Sequence, residues 1–147
     1  MALEQLIMFN FDRKGKEKIE AYLYSPLNLA YMGDSIYSML VRSRLLEDGN
    51  RSVNELNRMA NAKVCALAQS ANFYKIQQYL TENEIAVMKR GRNAHPSTRA
   101  KNASMADYRN ATGLEALFGY LYLNGETERL LEIFDKCFDD TDKNEED

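Results

Sequence analysis

Histidine is almost missing from this sequence: His95 is the only one in 147 residues, and the two cysteines, Cys65 and Cys137, stand far apart. A zinc site draws its ligands from closely spaced Cys and His, so none is expected. The cysteines read as reduced packing residues. Long apolar runs are lacking as well, and no stretch approaches the roughly 20 apolar residues that a membrane span needs. The opening "MALEQLIMFNFDRKGKEK" has no basic leading region, is interrupted by Glu4 and Asp12, and offers no small-residue cleavage site. A cytoplasmic protein without a membrane partner is expected. Strand-like alternation is also missing, which points away from β folds.

Acidic residues are absent from one long stretch, Ile85 to Ala106. The formal net charge of −3 hides this, because residues 139–147 hold six acids and one lysine. Without them the body carries 18 basic and 16 acidic residues. The tail 139–147 is expected to be disordered and solvated. The remainder, 1–138, reads as one domain of sufficient length to bury a core, with the N-terminal ~20 residues a lead-in segment.

What is abundant is helix punctuation. Ser25-Pro26 offers an N-cap followed by proline at the first helical position, and Gly49 a stop, predicting a helix over 26–47. Ser52 with Glu55, and Thr81 with Glu84, have the spacing of capping boxes. The first predicts one helix through "VNELNRMANAKVCALAQSA", the second a helix through "ENEIAVMKRG". Asn72 is expected to cap a short helix, "FYKIQQYL". Ser104 with Asp107 opens "MADYRNATGLEALFGYLYL", Asn124-Gly125 closes it, and "ETERLLEIFDKCF" follows. The sum is an all-α domain with one irregular stretch near 91–103.

Two of these helices share an oddity. In "NLAYMGDSIYSML" (28–40), Gly33 and Asp34 interrupt an apolar run; in "ATGLEALFGYLYL" (111–123), Glu115 and Gly119 do the same. A helical glycine costs about 1 kcal/mol relative to alanine, and an unpaired buried carboxylate costs several. Residues three and four apart share a helix face, so Glu115 lies with Gly119 and Gly33 borders the stripe of Asp34. The expected compensation is close helix packing at Gly33 and Gly119, which would bring Asp34 and Glu115 together. Two such carboxylates stay ionised only with a cation between them. Mg²⁺, with Mn²⁺ as a substitute, suits one or two carboxylates plus phosphate oxygens, and such an ion activates water. Asp34 and Glu115 are therefore the candidate metal ligands and catalytic residues.

The acid-free stretch adds a candidate polyanion-binding surface. Lys89, Arg90, Arg92, Asn93, His95, Arg99, Lys101, Asn102 and, just beyond, Arg109 combine charge with hydrogen-bonding capacity. Such a segment fits phosphate oxygens and sugar hydroxyls. No aromatic run for stacking single-stranded bases accompanies it, so duplex shape is the expected target.

Together, "LAYMGDSIY" (29–37), "LEALFGYLYL" (114–123) and the intervening "GRNA…KNAS…DYR" resemble the ribonuclease III catalytic-domain family, and most closely its short branch, Mini-ribonuclease III. The resemblance covers roughly residues 25–138 and implies a homodimeric, all-α, Mg²⁺-dependent endoribonuclease. Its implied substrate is double-stranded RNA, in bacteria the precursor of 23S ribosomal RNA, cut to leave 5′-phosphate and 3′-hydroxyl ends, with ribosomal-protein assistance conceivable. Full-size members carry a double-stranded-RNA-binding domain after the catalytic one; here an acidic tail follows instead. They also carry two further acids at the positions of Ala30 and Thr112, so weaker metal holding is expected. Met32, Ile36, Met39 and Phe118 are candidates either for a dimer surface or for the protomer's own core. The rival reading is a non-catalytic helical module that binds structured RNA or only dimerises.

Overall fold

A computed structural model describes residues 19–94 and 104–139. Among them, six α-helices and two short 3-10 turns make up the secondary structure. After the turn Ala21–Leu23 come α1 (Pro26–Glu47), α2 (Val53–Val64) and α3 (Ala66–Ile76), then the turn Gln77–Tyr79, α4 (Glu82–Asn93), α5 (Met105–Leu123) and α6 (Thr127–Phe138). The all-α expectation is met.

Local chemistry starts most of the helices. Ser25, Ser52, Thr81 and Ser104 each accept a hydrogen bond from the backbone N–H three residues on, contacts worth about 1 kcal/mol apiece. Thr81 and Glu84 form the full reciprocal box. At Ser52 only half of it forms, because Glu55 turns instead to Arg51 at 3.2 Å. Gly49 and Gly125 follow α1 and α5 with φ of 112° and 75°, a conformation that glycine adopts without a Cβ penalty.

Two boundaries differ from expectation. The helix predicted through 53–71 breaks at Cys65, whose φ of −64° and ψ of 156° are extended. The break lets α2 lie on α1 while α3 lies on α5; neither glycine nor proline marks it. Beyond it, α3 runs straight through Asn72. That side chain caps nothing and instead donates to the Tyr37 hydroxyl at 3.1 Å.

The fold is organised around α5. Every residue from Asn110 to Leu121 is buried except Glu115, which is half-buried. Helices α1, α3 and α4 surround it. A second layer joins α6 through Tyr37, Phe118 and Phe134, which meet edge-to-face with centroids 5.1–6.5 Å apart, a geometry aromatic quadrupoles favour. Ile36 and Phe118 belong to this core and Met32 and Met39 pack half-buried against it. Ile36 and Phe118 thus serve the protomer's own core, while Met32 and Met39 keep part of their surface exposed.

Ion pairs fasten α6 at both ends. Glu84 takes two hydrogen bonds from Arg129, at 2.8 and 2.9 Å. Burial pushes the Glu84 carboxyl up, but the Arg129 guanidinium and the Thr81 cap hold it below the usual carboxylate range. At the other end Arg44 pairs with Asp135 and Asp139 and stacks over Phe134 and Phe138 at 5.4 and 5.1 Å. Asp139, the first residue of the acidic tail, is thus the C-cap of α6; residues 140–147 lie outside the described residues. No described helix is long and apolar enough to cross a membrane.

Candidate active site

Helices α1 and α5 cross at their glycines. A Cβ built on Gly33 would run into the Glu115 carbonyl group and lie 2.8 Å from the Gly119 amide nitrogen. A Cβ built on Gly119 would run into the Leu29 carbonyl and lie 3.1 Å from the Gly33 nitrogen. Each glycine therefore admits the other helix's backbone, and side chains of any size would force the two apart.

This crossing decides where the carboxylates go. Asp34 follows Gly33 on the exposed side of α1, while Glu115 rises from the middle of the buried run on α5. Burial, and then the charge of Asp34, push the Glu115 carboxyl up to about 8. The second cause means the two groups are near neighbours. No basic side chain figures among those causes. A half-buried carboxylate close to another, with no cationic partner among the described residues, is the donor chemistry that a hard divalent ion satisfies.

The positions where full-size relatives carry two more acids look different. Ala30 is buried, and Thr112 is buried with its hydroxyl donating to the Tyr108 carbonyl of its own helix at 3.0 Å. Among the described residues no group of three or more His, Cys, Asp or Glu side chains converges on one point. Among the described residues the candidate donors are thus two, Asp34 and Glu115.

The basic residues divide. Lys89, Arg90, Arg92 and Asn93 are exposed at the C-terminal end of α4, and Arg109 is half-buried near the start of α5. His95, Arg99, Lys101 and Asn102 lie outside the described residues. The helix reaches Asn93, so Gly91, expected at its end, sits inside it. There it makes a second close crossing. A Cβ built on Gly91 would lie 2.6 Å from Ala116 Cβ and 3.0 Å from Gly113 Cα, and one built on Gly113 would lie 2.6 Å from the Met88 carbonyl oxygen. So α5 is gripped from two sides, by α1 through Gly33 and Gly119 and by α4 through Gly91 and Gly113. Sequence reasoning missed the second pair, although its signal, small residues in two helices, matched that of the first.

Comparison with known proteins agrees with this architecture. The Ribonuclease III domain model matches residues 27–126. The chain is 47% identical to the Mini-ribonuclease 3 of Brevibacillus brevis over 79% of its length and 87% of that protein's. It is 48% identical to the Mini-ribonuclease 3 of Symbiobacterium thermophilum over 78% of its length and 88% of that protein's. A crystal structure of a Fusobacterium nucleatum protein superposes with a TM-score of 0.69 at 34% identity, covering 77% of this chain and 90% of that one. A domain match across most of the chain, with two signature helices crossing at their glycines and each carrying one carboxylate within a turn of its glycine, places this protein in the ribonuclease III family of endoribonucleases.

Proposed function

We propose that this endoribonuclease is Mg²⁺-dependent, with Mn²⁺ as a substitute, and that Asp34 and Glu115 hold the ion and serve as the catalytic pair. The observation that supports the reading is the close α1–α5 crossing, where the charge of Asp34 raises the Glu115 carboxyl and no cationic partner is found among the described residues. When bound, the ion supplies Lewis-acid chemistry to phosphodiester hydrolysis. The chain's own work is positional. Gly33 and Gly119 fix the spacing of the two acids, and Asp34 faces the solvent side from which a phosphate arrives. Glu115 gives up its proton as the ion is taken, because ligation requires the carboxylate. The products are 5′-phosphate and 3′-hydroxyl ends.

The substrate is double-stranded RNA, and specifically precursor 23S ribosomal RNA in the cytoplasm, the setting implied by the likeness to the Mini-ribonuclease III branch. Lys89, Arg90, Arg92, Asn93 and Arg109, joined by His95, Arg99, Lys101 and Asn102, form the RNA grip. Because the grip works through charge on phosphates, affinity falls steeply with salt, about 0.9 in log–log slope for each phosphate contact. The working unit is a homodimer, because paired sites match the two-fold symmetry of a duplex. On α1, Leu27 and Tyr31, one turn apart and 37% and 84% exposed, are apolar residues open to a partner copy. The catalytic unit extends through 138.

Incubation of the purified chain with a long RNA duplex, in Mg²⁺ and then in EDTA, tests the proposal. Cleavage in Mg²⁺ alone is expected, and Asp34→Asn should bind the duplex as before while cutting orders of magnitude more slowly. Binding without metal-dependent cutting would favour the RNA-binding module instead.

A further inference from the structure

A chain of polar groups crosses three helices beneath the RNA grip. On α4, Arg92 donates through Nε to Asn110 Oδ1 on α5 at 3.1 Å. Asn110 in turn donates through Nδ2 to Ser70 Oγ on α3 at 3.0 Å. The Asp107 carboxylate accepts from Ser104 Oγ at 2.8 Å, and the neighbouring Ser104 and Ser70 hydroxyls hold it below the usual carboxylate range. Asn110 is 1% exposed and Ser70 3%, whereas Arg92 is exposed. The chain thus begins at a surface cation and runs through two buried neutral groups, Asn110 and Ser70.

Burying an amide and a hydroxyl at this helix junction needs a reason, because an apolar pair of the same shape would serve packing equally well. The arrangement restrains Arg92. Its Nε–H is engaged from below, and the Phe73 ring lies 6.0 Å beneath its guanidinium carbon. Its backbone nitrogen would lie only 3.2 Å from a Cβ on Gly113, so the root of the side chain is wedged against α5. Among the described residues, Lys89 and Arg90 make no such hydrogen bond. A planar guanidinium held at Nε has its terminal nitrogens left for a bidentate contact with phosphate.

We propose that Asn110 and Ser70 are positioning residues that pin Arg92 as a preoriented phosphate contact, at a fixed offset from the metal pair. This rests on the reading that the α4 end grips RNA. Asn110 and Glu115 ride on the same helix, about 7.5 Å apart along its axis. α5 therefore acts as a rigid ruler between the phosphate that Arg92 holds and the phosphate that is cut.

A double-mutant cycle tests this, with duplex RNA affinity measured in EDTA so that cleavage does not intrude. Arg92→Ala and Asn110→Ala should each weaken binding about tenfold and lower the salt slope by about 0.9. The double variant should be no weaker than Arg92→Ala alone, because Asn110 acts through the arginine. In ¹H–¹⁵N spectra of the free protein, the Arg92 Nε–H resonance should be protected in the parent and lost in Asn110→Ala. Additive losses, or an Asn110→Ala variant with parental affinity, would overturn the pin. Should Asn110→Ala fail to fold, Arg92→Lys takes its place. It keeps the charge without the Nε–H, and parental affinity there would overturn the proposal too. If Arg92→Ala binds normally while Lys89→Ala and Arg90→Ala bind weakly, the pin falls and the RNA grip stands. If none of the three weakens binding, the grip itself falls.

Discussion

Replacing Gly33 by alanine adds one methyl group at the point where α1 and α5 touch. The new Cβ would collide with the Glu115 carbonyl group and sit 2.8 Å from the Gly119 amide nitrogen. Both obstacles are backbone, so no rotamer change relieves them, and the two helices must move apart. Overpacking of this kind costs up to about 3 kcal/mol, occasionally more. Alanine returns about 1 kcal/mol through its better helix propensity. A net loss of about 2 kcal/mol follows, which for a domain of this size lowers Tm by roughly 6–10 °C. The functional loss should exceed the stability loss, because the same separation draws Asp34 away from Glu115. Thermal melting in EDTA measures the first effect, and the Mg²⁺ concentration for half-maximal cleavage at a temperature where the variant is folded measures the second. An alanine variant that melts at or above the parent, with the same Mg²⁺ requirement, would refute the close-crossing argument.

Other expectations follow from the same site. Glu115 has a folded-state pKa of about 8, raised from 4.5 by burial and by Asp34. The folded chain therefore binds more protons than the unfolded one across that window, and metal-free stability should fall as pH rises through it. Glu115→Gln removes this slope. Its advantage over the parent in EDTA should grow with pH, reaching about 2 kcal/mol at pH 7 after allowance for partial exposure, and vanish in saturating Mg²⁺; parallel pH profiles would count against it. With only two acids in the set, cleavage should need more Mg²⁺ than a four-acid family member does under matched conditions, and equal requirements would contradict the two-ligand reading.

The sequence announced those features whose signals are local. Ser25-Pro26, Thr81 with Glu84, and Ser104 fixed helix starts because a cap acts within three residues. The glycine and carboxylate pairs were legible because each breaks an apolar run, and a broken rule asks for a compensating contact. The break at Cys65 was not legible: nothing in the local sequence forbids helix there, and it serves the separate docking of α2 and α3. Asn72 illustrates the same limit, since its partner, Tyr37, lies 35 positions away. The small-residue signal of Gly91 and Gly113 gains its meaning only once α4 and α5 meet. The Arg92–Asn110–Ser70 chain is likewise a product of three helices and has no linear signature.

The sharing of one ion by Asp34 and Glu115 is tested most directly by anomalous diffraction from crystals soaked in Mn²⁺ at concentrations that support cleavage. The expected map shows a peak with a carboxylate oxygen of each residue at about 2.1 Å, the reach of a hard octahedral ion. No peak there, or a peak ligated by only one of the two, would contradict the joint site.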